Sequence, residues 1–212
     1  MSSPLPSFTI DLRAIKAAAL AISKEQTRYY LNGVCMDIDP THGAIAVATD
    51  GHRLIACLAT EAGALPAMDA ALSIIIPADT VKRIKIARKV FDAMLRDNGD
   101  GTWSIIYGDT IHAFKPVDGT FPAWRRVLPR HSSPGARAHY NPDYIADFKA
   151  AAAAYDTGAE PSLIEAGEAP AWVRFPEHIP AIGVVMPKRH GFHSHMEAPS
   201  WAGITLDPPA TN

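Results

Sequence analysis

The chain has 212 residues, 48% of them apolar and 20% charged, with a formal net charge of −2. This is the composition of a globular protein of one or two domains. No run approaches the ~20 apolar residues that span a bilayer, and the start MSSPLPSF has neither the basic end nor the apolar core of a secretory signal. The two cysteines, Cys35 and Cys57, make no disulfide framework and read as small buried hydrophobes in a reducing cytoplasm.

Three segments share one grammar: a short apolar strand, a capping residue, then an amphipathic helix. The first is SFTIDLRAIKAAALAIS, with Asp11 as cap and Leu12, Ile15, Ala19 and Ile22 at helical spacing. Strand-like runs RYYLNGVCMDI, GAIAVATD and HRLIACLA follow it. The second is SIIIPADTVKRIKIARKVFDAML, with Asp79 as cap and a helix expected to run on through Ile84, Ala87, Phe91 and Leu95. It leads into TWSIIYG and TIHAFKPV, joined by turn dipeptides. The third is AHYNPDYIADFKAAAAAY, with Asn141 as cap and Pro142 at the first helical position. Tyr144, Ile145, Phe148, Ala152 and Tyr155 give its apolar face, and AWVRF and AIGVVMP follow. The strand ends expected at Ile10, Ile76 and Tyr140 recur every 66 and 64 residues, the mark of an internal repeat. The fold class is therefore α+β: three βα-meander units with helices on one face of antiparallel sheets. RHSSPGARA reads as a linker, and residues 191–212 as an irregular tail.

Charge is distributed unevenly. Residues 80–96 hold Lys82, Arg83, Lys85, Arg88, Lys89 and Arg96 against Asp92, a local +5 on a remainder of −7. On the long second helix, Lys82, Lys85, Lys89 and Arg96 would share one sector, with Arg13, Lys16 and Lys24 added from the first helix. Such a row suits sequence-independent, salt-sensitive phosphate contact, or else it is an ordinary solvated face.

The stretch VATDGHRLIACLA sets Asp50, His52 and Arg53 at a turn. No nucleophile elbow, phosphate loop or paired carboxylates accompany them, and Asp-Gly is a hairpin dipeptide, so catalysis is not indicated. His190, His193 and His195 with Glu197 match no strong zinc spacing. No cofactor is expected. A metal-dependent hydrolase using those histidines stands only as a remote contrast.

RYYLNGVCMDI…VATDGHRLIACLA followed by VDGTFPAWRRVLP resembles the middle domain of the bacterial sliding clamp family, the β subunit of DNA polymerase III. VVMPKR resembles its C-terminal strand, and HYNPDYIADFKAAAAA the last helix of its third domain. The resemblance implies a DNA-clamp fold, in which each domain is two βα-meander units and twelve units close a ring whose helices face duplex DNA. It implies a processivity factor, not an enzyme, that holds a polymerase on double-stranded DNA. It also implies a hydrophobic groove for short linear peptides of polymerases, clamp loaders or repair proteins. Matched residue by residue, Leu31, Thr49, Gly51, His52, Arg53 and Leu54 would form one wall of that groove. Pro122, Arg126 and Val127 would form a second, and Val184, Met186, Pro187 and Arg189 would close it. With the resemblance, Arg13, Lys16, Lys24, Lys82, Lys85, Lys89 and Arg96 become the DNA-binding set.

The usual clamp has three domains, whereas this chain has about one and a half. Residues 1–129 would be a complete clamp domain and 136–190 half of another. Lys188, His190 and Glu25 depart from the family pattern. A lone third unit exposes a sheet edge, so two chains could pair their third units about a twofold, and four chains would carry twelve units. A cytoplasmic homo-oligomer without membrane contact is expected. The alternative is a non-encircling clamp fragment that acts as a peptide-binding module.

Overall fold

A computed structural model gives the architecture, and it describes residues 5–68, 70–86, 90–129, 138–164, 166 and 169–188. In chain order the elements are β1 (Ser7–Asp11), α1 (Leu12–Ala18), β2 (Gly33–Asp39), β3 (Gly43–Thr49), β4 (Arg53–Thr60), β5 (Leu72–Pro77), α2 (Ala78–Arg83), β6 (Asp92–Asp97), β7 (Trp103–Tyr107), β8 (Thr110–Phe114), α3 (Pro142–Ala153), β9 (Ser162–Ile164), β10 (Ala171–Arg174) and β11 (Ala181–Val185). All strand pairs are antiparallel. They form a four-stranded sheet, β1-β6-β7-β8, and a seven-stranded sheet, β5-β2-β3-β4-β11-β10-β9.

The first two units exchange strands. β1 pairs with β6 of the second unit, and β5 pairs with β2 of the first. Each leading strand thus satisfies its backbone in the other unit's sheet. Among the described residues the third unit has no such sister, and the strand expected at Tyr140 is not formed: Ala138 to Asn141 is irregular. The segment is tied instead to the residues after β11, where the Lys188 N–H donates to the His139 carbonyl at 2.7 Å.

The main core lies where the helices cover the two sheets. α1 is buried almost all round, with Leu12, Ala14, Ile15, Ala17 and Ala18 fully enclosed. It lies over β3 and β4, where Ala44, Ala46 and Ala48 present only methyl groups. Small residues on both sides let the helix sit close to the sheet. Asp11 caps α1 by accepting from the Arg13 N–H at 2.8 Å, and Asn141 caps α3 by accepting from the Asp143 N–H at 3.2 Å, with Pro142 in the first turn.

The second helix differs from expectation. α2 ends at Arg83, and Phe91 to Leu95 does not continue it: Asp92–Asp97 is strand β6. Its cap position is Pro77, and Asp79 pairs with Lys82 at 2.9 Å instead of capping. Residues 92–97 alternate exposed and buried, a period of two that helical spacing of Phe91 and Leu95 concealed. As a central strand β6 pairs with both β1 and β7 and buries Ala93 and Leu95 in the core.

Candidate partner groove and nucleic-acid face

Strand alternation splits the seven-stranded sheet into two faces. Val34, Met36, Ile55, Cys57, Ile74, Ile76 and Val185 face the helices. Cys35, Val47, Leu54, Ala56, Ile75 and Val184 face the other way and form a second apolar cluster with Leu31. The segment after β8 crosses that outer face and packs Phe121, Trp124 and Leu128 on it. Its anchors are specific. The Val117 N–H donates to the Ile75 carbonyl at 2.9 Å, and the Trp124 indole donates to Asp37 Oδ2 at 2.8 Å. Arg125 pairs with the same carboxylate and lies 4.4 Å over the Trp124 ring. From the third unit, the Trp172 indole donates to the Pro129 carbonyl at 3.0 Å.

Leu31, Leu54 and Val184 therefore meet in one cluster. Thr49 is on the same face of β3, and its hydroxyl donates to the Arg53 carbonyl at 2.7 Å while accepting from the Gly51 N–H. Pro122, Arg126 and Val127 are exposed on the crossing segment, Val127 at 48%. Met186 and Pro187 follow β11, half-buried, and the Met186 N–H donates to the His52 carbonyl at 2.8 Å. A shallow apolar cleft of about 170 Å³ opens on this side of the sheet at the other end of the β4–β11 pair, lined by Ile45, Ala56, Leu58, Trp124, Pro180, Ala181 and Ile182. Trp124, Phe121 and Trp172 pack on this face without being among the residues singled out from the sequence. Two aromatics three residues apart in the polar, turn-rich FPAWRRV are the signal for the first pair. Arg189 lies outside the described residues.

Arg53 goes elsewhere. As the first residue of β4 it points to the helix side, opposite Leu54, so it is not a groove-rim residue. Its side chain is 10% exposed. Nη1 pairs with Asp147 of α3, Nη2 donates to the Leu20 carbonyl at 2.7 Å, and Nε lies 3.3 Å from Asp50 Oδ2. The guanidinium also sits 4.5 Å over the Tyr144 ring, and His52 stacks on that ring with centroids 6.3 Å apart. The DGHR turn is thus a clasp on α3. Asp50 Oδ1 accepts from the His52 and Arg53 N–H groups, and Gly51 is required by its φ of +90°.

The three helices border a second cleft, about 700 Å³, whose lining includes Lys16, Lys24, Arg53, Asp79, Lys82 and Asp147. Lys16, Lys24 and Lys82 come together here. Lys16 Nζ also donates to the Val81 carbonyl at 3.3 Å, tying α1 to α2. Lys85 is exposed just beyond α2. Two members of the expected basic set do not join. Arg13 forms a bidentate pair with Asp11 and is held between the Phe91 and Tyr155 rings at 4.3 and 5.1 Å. Arg96 is exposed on β6, on the face away from the helices, because the expected helix is a strand there. Lys89 lies outside the described residues.

Burial pushes both thiols, Cys35 and Cys57, up to about 12, so neither is a nucleophile. Among the described residues no three His, Cys, Asp or Glu side chains are grouped to hold a metal, and no helix is long and apolar enough to cross a membrane. The histidines at 190, 193 and 195, with Glu197 and the tail 191–212, fall outside those residues.

Against known proteins, residues 9–123 match the family described as DNA polymerase III beta subunit, central domain. The chain belongs to this family. Its β sliding clamp relatives include the Escherichia coli K12 protein, 35% identical over 128 residues, which are 60% of this chain and 33% of that one. The Proteus mirabilis β sliding clamp is 33% identical over 129 residues, 60% of this chain and 34% of its own. The chain thus spans about a third of the curated relatives it matches. A crystallised sliding clamp from Pseudomonas aeruginosa shares the fold over 90% of this chain and 68% of its own, with a TM-score of 0.71 at 21% identity. The likeness in fold therefore extends past the sequence match, into the third unit.

Proposed function

We propose that this chain is a clamp-type processivity factor: it encircles double-stranded DNA as a homo-oligomer in the cytoplasm, catalyses nothing, and tethers a polymerase or repair protein through a short peptide. The observation that carries this reading is the β4–β11 seam. It joins the third unit to the first two in one continuous sheet, with α1, α2 and α3 bordering one cleft on one side and the crossing segment on the other. Lys16, Lys24, Lys82 and Lys85 contact phosphate from the helix side. Leu31, Thr49, Gly51, His52, Leu54, Pro122, Arg126, Val127, Val184, Met186 and Pro187 serve the peptide groove. Apolar anchors of the peptide bury against the Leu54–Val184 cluster, and Arg126 pairs with its carboxylates.

Residues 1–129 act as a complete clamp domain and 136–190 as half of another, made whole by a second copy. The third unit has the surface for this. β9 is a sheet edge, Ile145 is 37% exposed, and a cleft of about 270 Å³ lies between Ile145, Phe148, Leu163 and Val173. DNA association measured against salt tests the phosphate contacts. Each cation removed should flatten the slope of log K against log salt by about 0.9, so Lys16→Ala with Lys82→Ala flattens it by about 2 while peptide binding holds. An unchanged slope would remove the helix side as the DNA contact, and peptide binding without DNA association would leave only the peptide module.

A further inference from the structure

Among the described residues β8 is a terminal strand of the four-stranded sheet, and it belongs to the complete domain. Within the chain, β4 and β8 are equivalent, each the last strand of its meander. β4 is closed by antiparallel pairing with β11, itself the last strand of the third unit, from Arg53↔Val185 to Cys57↔Ala181. Among the described residues β8 pairs on one side only, with β7.

The strand is unprotected. Its register with β7 is unbroken over five residues, without a bulge, and Ile111 at its centre is 63% exposed, the most exposed large hydrophobic among the described residues. Ile111 ends an apolar row on the outer face, running Met94, Ile106, Ile111 across β6, β7 and β8. The two-residue turn Gly108-Asp109 closes on Tyr107 and Thr110. Thr110, His112 and Phe114 therefore bond toward β7, and the N–H and C=O of Ile111 and Ala113 are directed at the open side.

We propose that β8 is a self-association edge that pairs antiparallel with β8 of a second copy, about a twofold axis through His112. In this register Ile111 faces Ala113 of the partner twice, which uses every outward backbone group of the strand. It also sets Asp109 opposite Lys115 of the partner, again twice. Both side chains are exposed in the single chain. A shift by one pair in either direction loses both charge pairs and strands one outward amide. The strand is thus self-complementary in hydrogen bonds and in charge, the requirement of an isologous contact. The seam needs neither DNA nor the groove. Combined with third-unit pairing it gives each chain two different twofolds.

The test contains no DNA. His112→Cys places one thiol at the axis, in a non-hydrogen-bonded pair whose Cα atoms lie about 4.5 Å apart, within disulfide reach. With diamide as oxidant, the two thiols lose their protons and two electrons to diamide and form a covalent dimer that reductant reverses; the native thiols, both buried, stay silent. Adding Ile111→Pro removes one outward N–H without touching the β7 bonds and should lower cross-linking about tenfold. In the otherwise unaltered chain, sedimentation should show Asp109→Lys alone and Lys115→Asp alone weakening association. Mixing the two variants, or combining both changes in one chain, should restore it. Cross-linking no faster than for Thr120→Cys would overturn the proposal. So would charge variants that weaken association without rescue, the pattern expected if a different protein covers this edge.

Discussion

The first two units and the third unit are built on one plan but stand on different footing. In the complete pair, leading strands cross over, so β1 and β5 tie the units together through backbone bonds. Among the described residues the third unit has no leading strand. It is held instead by the β4–β11 seam, by the Arg53 clasp on α3, and by Phe148, which is 1% exposed and sits against Gly183 so closely that an added Cβ would lie 2.5 Å from its ring. The contrast teaches that the same helix-and-meander unit can be stabilised by exchanged strands or by side chains, and that the second solution is more easily broken.

Phe148→Ala should break it most. Removing the ring leaves a cavity worth about 3–5 kcal/mol, and the loss should appear as hydrogen exchange in residues 142–185 while β2 and β3 stay protected. Equal loss in both regions would mean that the units unfold as one. Arg53→Met keeps bulk but removes the clasp. It should cost about 1–3 kcal/mol, and a double-mutant cycle with Asp147→Asn should show coupling confined to the third unit.

The contrast in legibility follows the same line. Asp11 and Asn141 were readable as caps, and the β3–β4 turn as a hairpin, because each rests on local chemistry. Leu31, Leu54 and Val184, which the family resemblance assigns together to a groove, share one apolar cluster. The length of α2 was not legible. Phe91 and Leu95 fit helical spacing as well as strand spacing, and long-range pairing with β1 decided between them. That error carried Arg96 to the wrong face. Arg53 was misplaced for a simpler reason: its neighbours face the groove, but alternation along β4 sends its side chain to the helices. The strand expected before α3 is not formed: among the described residues no second meander is there to pair with it, which no local pattern reveals.

Smaller effects sharpen the comparison. Both cysteines belong to the complete pair, and burial raises each thiol from an ordinary 9.0 to about 12. Their contribution to stability is full below pH 9 and is lost as pH rises from about 9 toward 12, because only the unfolded chain ionises in that window. Denaturant midpoints should be flat from pH 6 to 8 with respect to these groups and fall above about 9. Iodoacetamide at pH 8 should modify neither thiol in the folded chain, although both react in urea. The mildest change is Asp11→Ala, which removes the α1 cap and releases Arg13. It should cost about 1 kcal/mol, read as a shifted denaturant midpoint with unchanged slope.

Topological retention tests the central claim most directly: the protein is loaded on nicked circular DNA, separated from free protein, and the DNA is then cut once. A ring with cationic helices turned inward stays on the circle and leaves when the ends are opened. Equal retention on circular and linear DNA would mean ordinary backbone binding, and would contradict encirclement.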